Sequence, residues 1–231
     1  MAEEAMREGR FDDAMQHLSE SIGQHDSRYW PAYSLRGWLQ YREGNLHAAL
    51  RDLSVCVREL PEDCVALKTR ARLYVSEARW DDASRDLSAG LRMDPSDLEA
   101  YLLRGNALIH MDNYNGATHD FGMVIDRAET PSPADYIRRA CAYCCAQNWQ
   151  KALDDLGRSI AVRETPQALI LSGRVHACMR RWKLAVKDYD AALKLEPENA
   201  DALEAKAEAL TPFVPLPMVG AKEVARIAVG G

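Results

Sequence analysis

The sequence predicts an all-α fold, a solenoid of stacked antiparallel helix pairs, on three observations. An alanine recurs at positions 14, 49, 83, 117, 152 and 185, at intervals of 33–35 residues. Three residues before each stands a large side chain (Phe11, Leu46, Trp80, Tyr114, Trp149, Trp182), and four residues after each stands another (Leu18, Leu53, Leu87, Phe121, Leu156, Tyr189). Twelve residues before each is a small residue: Ala2, Gly37, Ala71, Gly105, Ala140 or Gly173. Self-similarity at a fixed period of this length marks a chain that grows by stacking one unit on the next.

Each element follows from these offsets. Spacings of three, four and seven fall on one face of an α-helix, so the alanine and its large neighbours describe a buried stripe. The stripe ends in Ser21, Cys56, Gly90, Val124, Ser159 or Ala192. The small residue belongs to a preceding helix. In the complete copies that helix also carries Tyr33, Leu67, Tyr101, Tyr136 or Leu169 four positions earlier. A small residue there lets two helix backbones approach closely. Glu43-Gly44-Asn45 and Asp112-Asn113 suit the turn inside a pair, and Pro61, Pro95 and Pro197 stop the second helix. Glu129 and Glu164 replace that proline in two copies, with Pro131 and Pro166 two residues on, so the linkers AETPSPAD and RETPQ are expected to alter the local twist.

The resulting division is a partial repeat over 1–29 and complete repeats over 30–63, 64–97, 98–132, 133–165 and 166–199. A closing helix over 200–210 and a proline-broken apolar tail over 211–231 follow. Ala2 matches the middle of a first helix, so the chain is expected to start halfway through a repeat. Either the polypeptide extends upstream or a partner covers that end.

Composition narrows the function. Apolar residues make up 47% of the 231, and charged residues 28%. No apolar run approaches the ~20 residues needed to cross a bilayer. The start, MAEEAMREGR, lacks the apolar segment of a secretory signal. A net charge of −6 argues against nucleic-acid binding. The six cysteines lie in helical segments, so free thiols in a reducing cytoplasm are expected.

Chemistry-bearing residues are scattered. Cys141, Cys144, Cys145 and Cys178 with His176 form the one conceivable metal cluster. They fall at packing positions of helices, where thiols behave as small apolar groups, whereas zinc needs four converging ligands. His17, His25, His47, His110 and His119 belong to different repeats. No nucleophile–base set, phosphate loop or HExxH pattern is present. Asp81-Asp82 and Asp154-Asp155 are read as capping acids at helix starts, and Trp80, Trp149 and Trp182 as core residues. Trp30 and Trp38 are better placed to reach an inner face. The expectation is no enzyme, no cofactor and no metal site, with a thiol- or metal-dependent enzyme as a remote alternative.

A helix pair repeating near 34 residues with this order of large and small positions resembles the tetratricopeptide repeat, over about residues 1 to 210. RWKLAVKDYDAALKLEPENADAL is especially close to the family pattern. The resemblance implies a right-handed superhelix whose first helices line a concave groove that takes protein ligands.

Two sets of residues follow. The first pairs an arginine before the small residue with an aspartate three after the alanine: Arg36–Asp52, Arg70–Asp86, Arg104–Asp120 and Arg139–Asp155. Ser172 replaces the arginine opposite Asp188. Their co-occurrence within repeats is expected of structural ion pairs, worth ~0.2–1 kcal/mol each if exposed. The second set lines the groove. The five first-helix windows hold nine Lys and Arg against four Asp and Glu. Beyond the bridge arginines, Arg42, Lys68, Arg72, Arg138 and Arg174 point inward by helical phase, joined by Asn106 and His110, with Glu99 as the main acid. A basic groove in an acidic chain favours an acidic partner segment; a solvated face with no particular ligand is the bland alternative. Lys68 and Arg138 match positions of the carboxylate clamp of chaperone-binding members of that family. Arg72, Leu103 and Ala134 depart from it, so a standard clamp is not expected.

The predicted function is a non-catalytic scaffold or adaptor binding an extended or helical segment of another protein. The alternative is a structural subunit of a multi-subunit assembly of ciliary, cytoskeletal or transport type. No nucleic acid or membrane partner is expected.

Overall fold

The structure is a computed structural model that describes residues 2–24 and 29–211. His25 and the tail from Pro212 onward, named above, lie outside the described residues. Thirteen α-helices and no strand occur among the described residues. They are α1 (Ala2–Arg7), α2 (Phe11–Gln24), α3 (Trp30–Arg42), α4 (Leu46–Glu59), α5 (Cys64–Ser76), α6 (Trp80–Met93), α7 (Leu98–His110), α8 (Tyr114–Arg127), α9 (Pro133–Cys145), α10 (Trp149–Val162), α11 (Pro166–Cys178), α12 (Trp182–Leu195) and α13 (Ala200–Leu210). The chain forms two compact units, residues 1–107 and 108–231.

In the first unit each helix packs on the next, from α1 through α6, and α3 also touches α5. Ala5, Ala14, Leu18, Ala32 and Leu39 form one buried layer, and Ala49, Leu53, Cys56, Ala66 and Leu73 form the next. In the second unit the same succession runs from α8 to α13, with α11 also against α13. Its layers are Ile137, Ala140, Cys141, Cys144, Ala152, Leu156, Leu171 and Val175, then Leu169, Ala185, Tyr189, Ala192, Ala202 and Ala205. Each layer draws on consecutive hairpins, as expected where one pair cannot bury its apolar face alone.

One backbone device makes every turn within a pair. The residue five before each repeated alanine has positive φ: Gly9, Gly44, Ala78, Asp112, Gln147 and Arg180. Its N–H bonds back three residues, and the following N–H bonds back five, as in Gly44→Tyr41 at 3.1 Å and Asn45→Gln40 at 2.8 Å. This is the Schellman C-terminus, which satisfies the orphan carbonyls of the first helix.

Entry into the first helices from α5 onward rests on side-chain caps. Asp63 accepts from Ala66 N–H at 2.8 Å, Asp97 from Ala100 at 3.0 Å and Asn199 from Ala202 at 3.0 Å. Ser132 and Asp135 form a reciprocal capping box. Of the two aspartate pairs expected at helix starts, Asp81-Asp82 is placed there and Asp154-Asp155 is not. Asp81 and Asp82 lie in the first turn of α6, whose cap position is Arg79, and Asp82 is held by Arg79 and Arg85. Asp154 and Asp155 lie beyond the first turn of α10, which already starts at Trp149. Of the three tryptophans expected in the core, Trp149 packs against a core layer, whereas Trp182 does not stay buried. Each opens its second helix. Trp80 and Trp149 are half-buried, and Trp182 is 40% exposed.

Candidate functional site

Gly37 and Gly173 show why the small position exists. A Cβ on Gly37 would stand 2.7 Å from Leu53 Cγ, and one on Gly173 would stand 2.4 Å from Tyr189 Cε1. Close approach brings the residue before each small position within reach of the second helix. Arg36 donates from Nε and Nη2 to Asp52 at 2.6 and 3.0 Å. Arg70 does the same to Asp86 at 2.7 and 2.8 Å, and Arg139 to Asp155 at 2.7 Å twice. These are two-pronged contacts. They are not exposed pairs: Asp52, Asp86 and Asp155 are all buried. Arg36 and Arg70 also sit 5.6 Å above Tyr33 and Tyr74. Arg104, in the first unit, donates to Ser88 Oγ at 3.1 Å; Asp120 is a buried residue of the second unit. In the arginine-less copy, Ser172 donates to Asp188 at 2.7 Å. His176 Nε2 stands 3.8 Å from the same carboxylate, while its Nδ1 is buried without a partner among the described residues.

The groove residues have distinct surroundings. Lys68 Nζ bonds Asp97 at 2.7 Å and approaches Glu99 at 3.3 Å. Arg72 Nη2 bonds the same Glu99. The structure thus brings two expected cations together on one acid of the next repeat. Asp97 is fixed by its capping bond, whereas half of the Glu99 side chain remains exposed. Burial raises the Glu99 pKa, but the Arg72 hydrogen bond and the charges of Arg72 and Lys68 outweigh it and hold the group below its ordinary value. Arg42 is not part of this cluster: its guanidinium lies 4.3 Å over Phe11 and 5.0 Å over Trp38. Trp30 lies 6.0 Å from the Tyr33 ring. Asn106 has a buried Oδ1 with no partner among the described residues.

In the second unit, Arg138 donates to Asp135 at 3.2 Å, and Arg174 is half-buried on α11. His110 ends α7, where burial lowers its pKa. Sequence reasoning missed Asp97 as the lysine's partner. The contact joins residues 29 apart in different repeats, and the only signal was an acid at a helix entry.

The cysteines are free thiols. Burial pushes Cys141 and Cys144 upward, Cys145 to about 11 and Cys56 to about 12. Protonated thiols are poor nucleophiles and ligands. Among the described residues, no group of three or more His, Cys, Asp or Glu could hold a metal ion.

The model of the tetratricopeptide repeat family matches residues 68–121 and 170–211. The fold is consistent with a tetratricopeptide repeat protein. Solved structures with this fold include YrrB, described as having an unusual peptide-binding site. It is 16% identical, with a TM-score of 0.72 over 82% of this chain and 97% of that one. The C-terminal part of a repeat protein from Cytophaga hutchinsonii has a TM-score of 0.71 at 15% identity, covering 90% of this chain and 83% of its own. MamA from Desulfovibrio magneticus reaches 0.67 at 17% identity, over 74% and 97%. Dynein axonemal assembly factor 4 of Rattus norvegicus and of Mus musculus is 29% identical over 105 residues, 42% of this chain. The match spans 25% of the length of those relatives. No helix among the described residues is long and apolar enough to cross a membrane.

Proposed function

We propose that this tetratricopeptide repeat chain is a non-catalytic cytoplasmic scaffold whose first helices hold an acidic, extended or helical segment of a partner protein. The repeat fold itself supports a protein-interaction role. The finer reading rests on Lys68 and Arg72 converging on Glu99. Asp97 also caps its helix, while Glu99, half exposed, is the acid that a partner carboxylate would displace. Fixed cations beside an exchangeable acid give specificity and salt sensitivity more than raw affinity. On the second unit Arg138 and Arg174 offer further cationic positions on first helices.

Fluorescence anisotropy with a labelled oligoglutamate peptide tests this. Affinity should fall steeply with salt. It should fall about tenfold in Lys68→Glu/Arg72→Glu, and rise about threefold in Glu99→Gln. Unchanged affinity in the double reversal removes the acidic-ligand reading.

A second reading is favoured by the similarity to dynein axonemal assembly factor 4: a part in building a large complex, of ciliary or cytoskeletal type. It predicts that the native protein sediments with a large assembly rather than as a free monomer.

A further inference from the structure

We propose that the outward face of α12, with the turn that precedes it, is a second docking surface, fitted to an acidic and partly apolar segment of a partner protein. The apolar face of α12 is consumed inside the second unit by Ala185, Tyr189 and Ala192, all buried. Opposite it, Lys183, Lys187 and Lys194 fall on one stripe by helical phase, and all three are exposed. Arg180 and Arg181 extend the charge into the turn, so that residues 179–187 hold four cations and no acid. Among the described residues no carboxylate pairs with any of these five side chains. Asp190, which stands beside the stripe, is engaged by Lys206 of α13 at 2.6 Å.

Within the second unit this face is peculiar to one repeat; in the first unit the same register of α4 carries His47, Arg51 and Arg58. At the register of the three lysines α10 carries Gln150, Asp154 and Ala161, and α8 carries Asn115, His119 and Asp126. At that register the other second helices of this unit each carry a single acid and no Lys or Arg, whereas α12 carries three lysines.

The apolar neighbours choose the class of partner. Trp182, Leu184 and Leu195 are 40%, 44% and 45% exposed, and the leucines flank the lysine stripe on one side. A phosphate backbone would leave the leucines unmatched. A bilayer needs the broad apolar face of an amphipathic helix, and here that face is already buried in the core. An acidic protein segment with its own apolar side chains matches both features: carboxylates against the lysines and arginines, apolar groups against Trp182 and the leucines.

The probe is a fluorescein-labelled helical peptide of Glu, Ala and Leu, titrated into the full chain. Lys183→Glu/Lys187→Glu/Lys194→Glu changes only exposed side chains, and its fold is checked by circular dichroism. It should weaken binding about tenfold or more. Leu184→Ser/Leu195→Ser should weaken it about threefold. The titrations are made in the Lys68→Glu/Arg72→Glu background, which silences the groove, so that the remaining binding reports this surface. Two results overturn the proposal: absence of peptide binding in that background, or binding that survives the triple reversal. A third is tighter, lysine-dependent binding of phosphatidylserine vesicles or single-stranded RNA than of the peptide.

Discussion

Tyr189 and Gly173 fit each other at van der Waals limits, with three ring atoms within 2.4 to 2.9 Å of where a Cβ would stand. Elsewhere in the chain Ala71 and Ala140 hold the small position, and their register partners are Leu87 and Leu156 rather than an aromatic ring. Gly173→Ala should therefore cost about 1–3 kcal/mol by overpacking, and adding Tyr189→Leu should recover part of the loss. A double-mutant cycle by urea denaturation checks the coupling. Asp155 is a different case. Its carboxylate is 2% exposed and receives both prongs of Arg139. Asp155→Ala strands a half-buried guanidinium, and stability should drop by about 3 kcal/mol, several times the change from removing the exposed acid Glu198.

At the scale of the helix pair, the Schellman turn is a shared solution reached with unshared residues. Its positive-φ position is glycine in Gly9 and Gly44 but Ala78, Asp112, Gln147 and Arg180 elsewhere, at φ of 55–57°. A side chain in that region is strained, while glycine loses more entropy on folding. The strain exceeds the entropy difference, so Gln147→Gly should stabilise by about 0.5–1 kcal/mol, read as a rise in the denaturation midpoint. Arg180 is an instructive exception, because the same substitution there also removes one cation of the proposed α12 surface. Peptide affinity should fall as stability rises.

For the molecule as a whole, part of the acid sensitivity near neutral pH comes from histidines that fold with lowered pKa values. Burial lowers His110. For His176 burial and the nearby Arg181 outweigh the attraction of Asp188. The unfolded chain therefore takes up these protons first. Stability is complete above the ordinary histidine value of 6.5 and is lost as pH falls through the lower folded values. Melting temperature should decline between about pH 7 and about pH 5, and His176→Gln should flatten part of that decline. A decline unaffected by that substitution would assign it to other groups.

The alanine period, the small position and the large flanking residues needed no coordinates. They report burial along single helices, and burial repeats because the packing repeats. The partners Arg36–Asp52, Arg70–Asp86 and Arg139–Asp155 were legible for the same reason, since both members of each lie within one hairpin. Asp97 and Glu99 beside Lys68 and Arg72 were not legible as a cluster. That contact crosses from one repeat to the next, where side-chain reach rather than helical phase decides which charges meet. The α12 surface was hidden differently: its lysines look like ordinary solvated residues until the structure shows neighbouring carboxylates committed elsewhere. Sequence by itself determined the helix pairs and their inward faces, through a hydrophobic pattern that one helix can express alone. Tertiary structure decided which cations are neutralised and which stay open, because electrostatic pairing depends on distances between elements that no single element encodes.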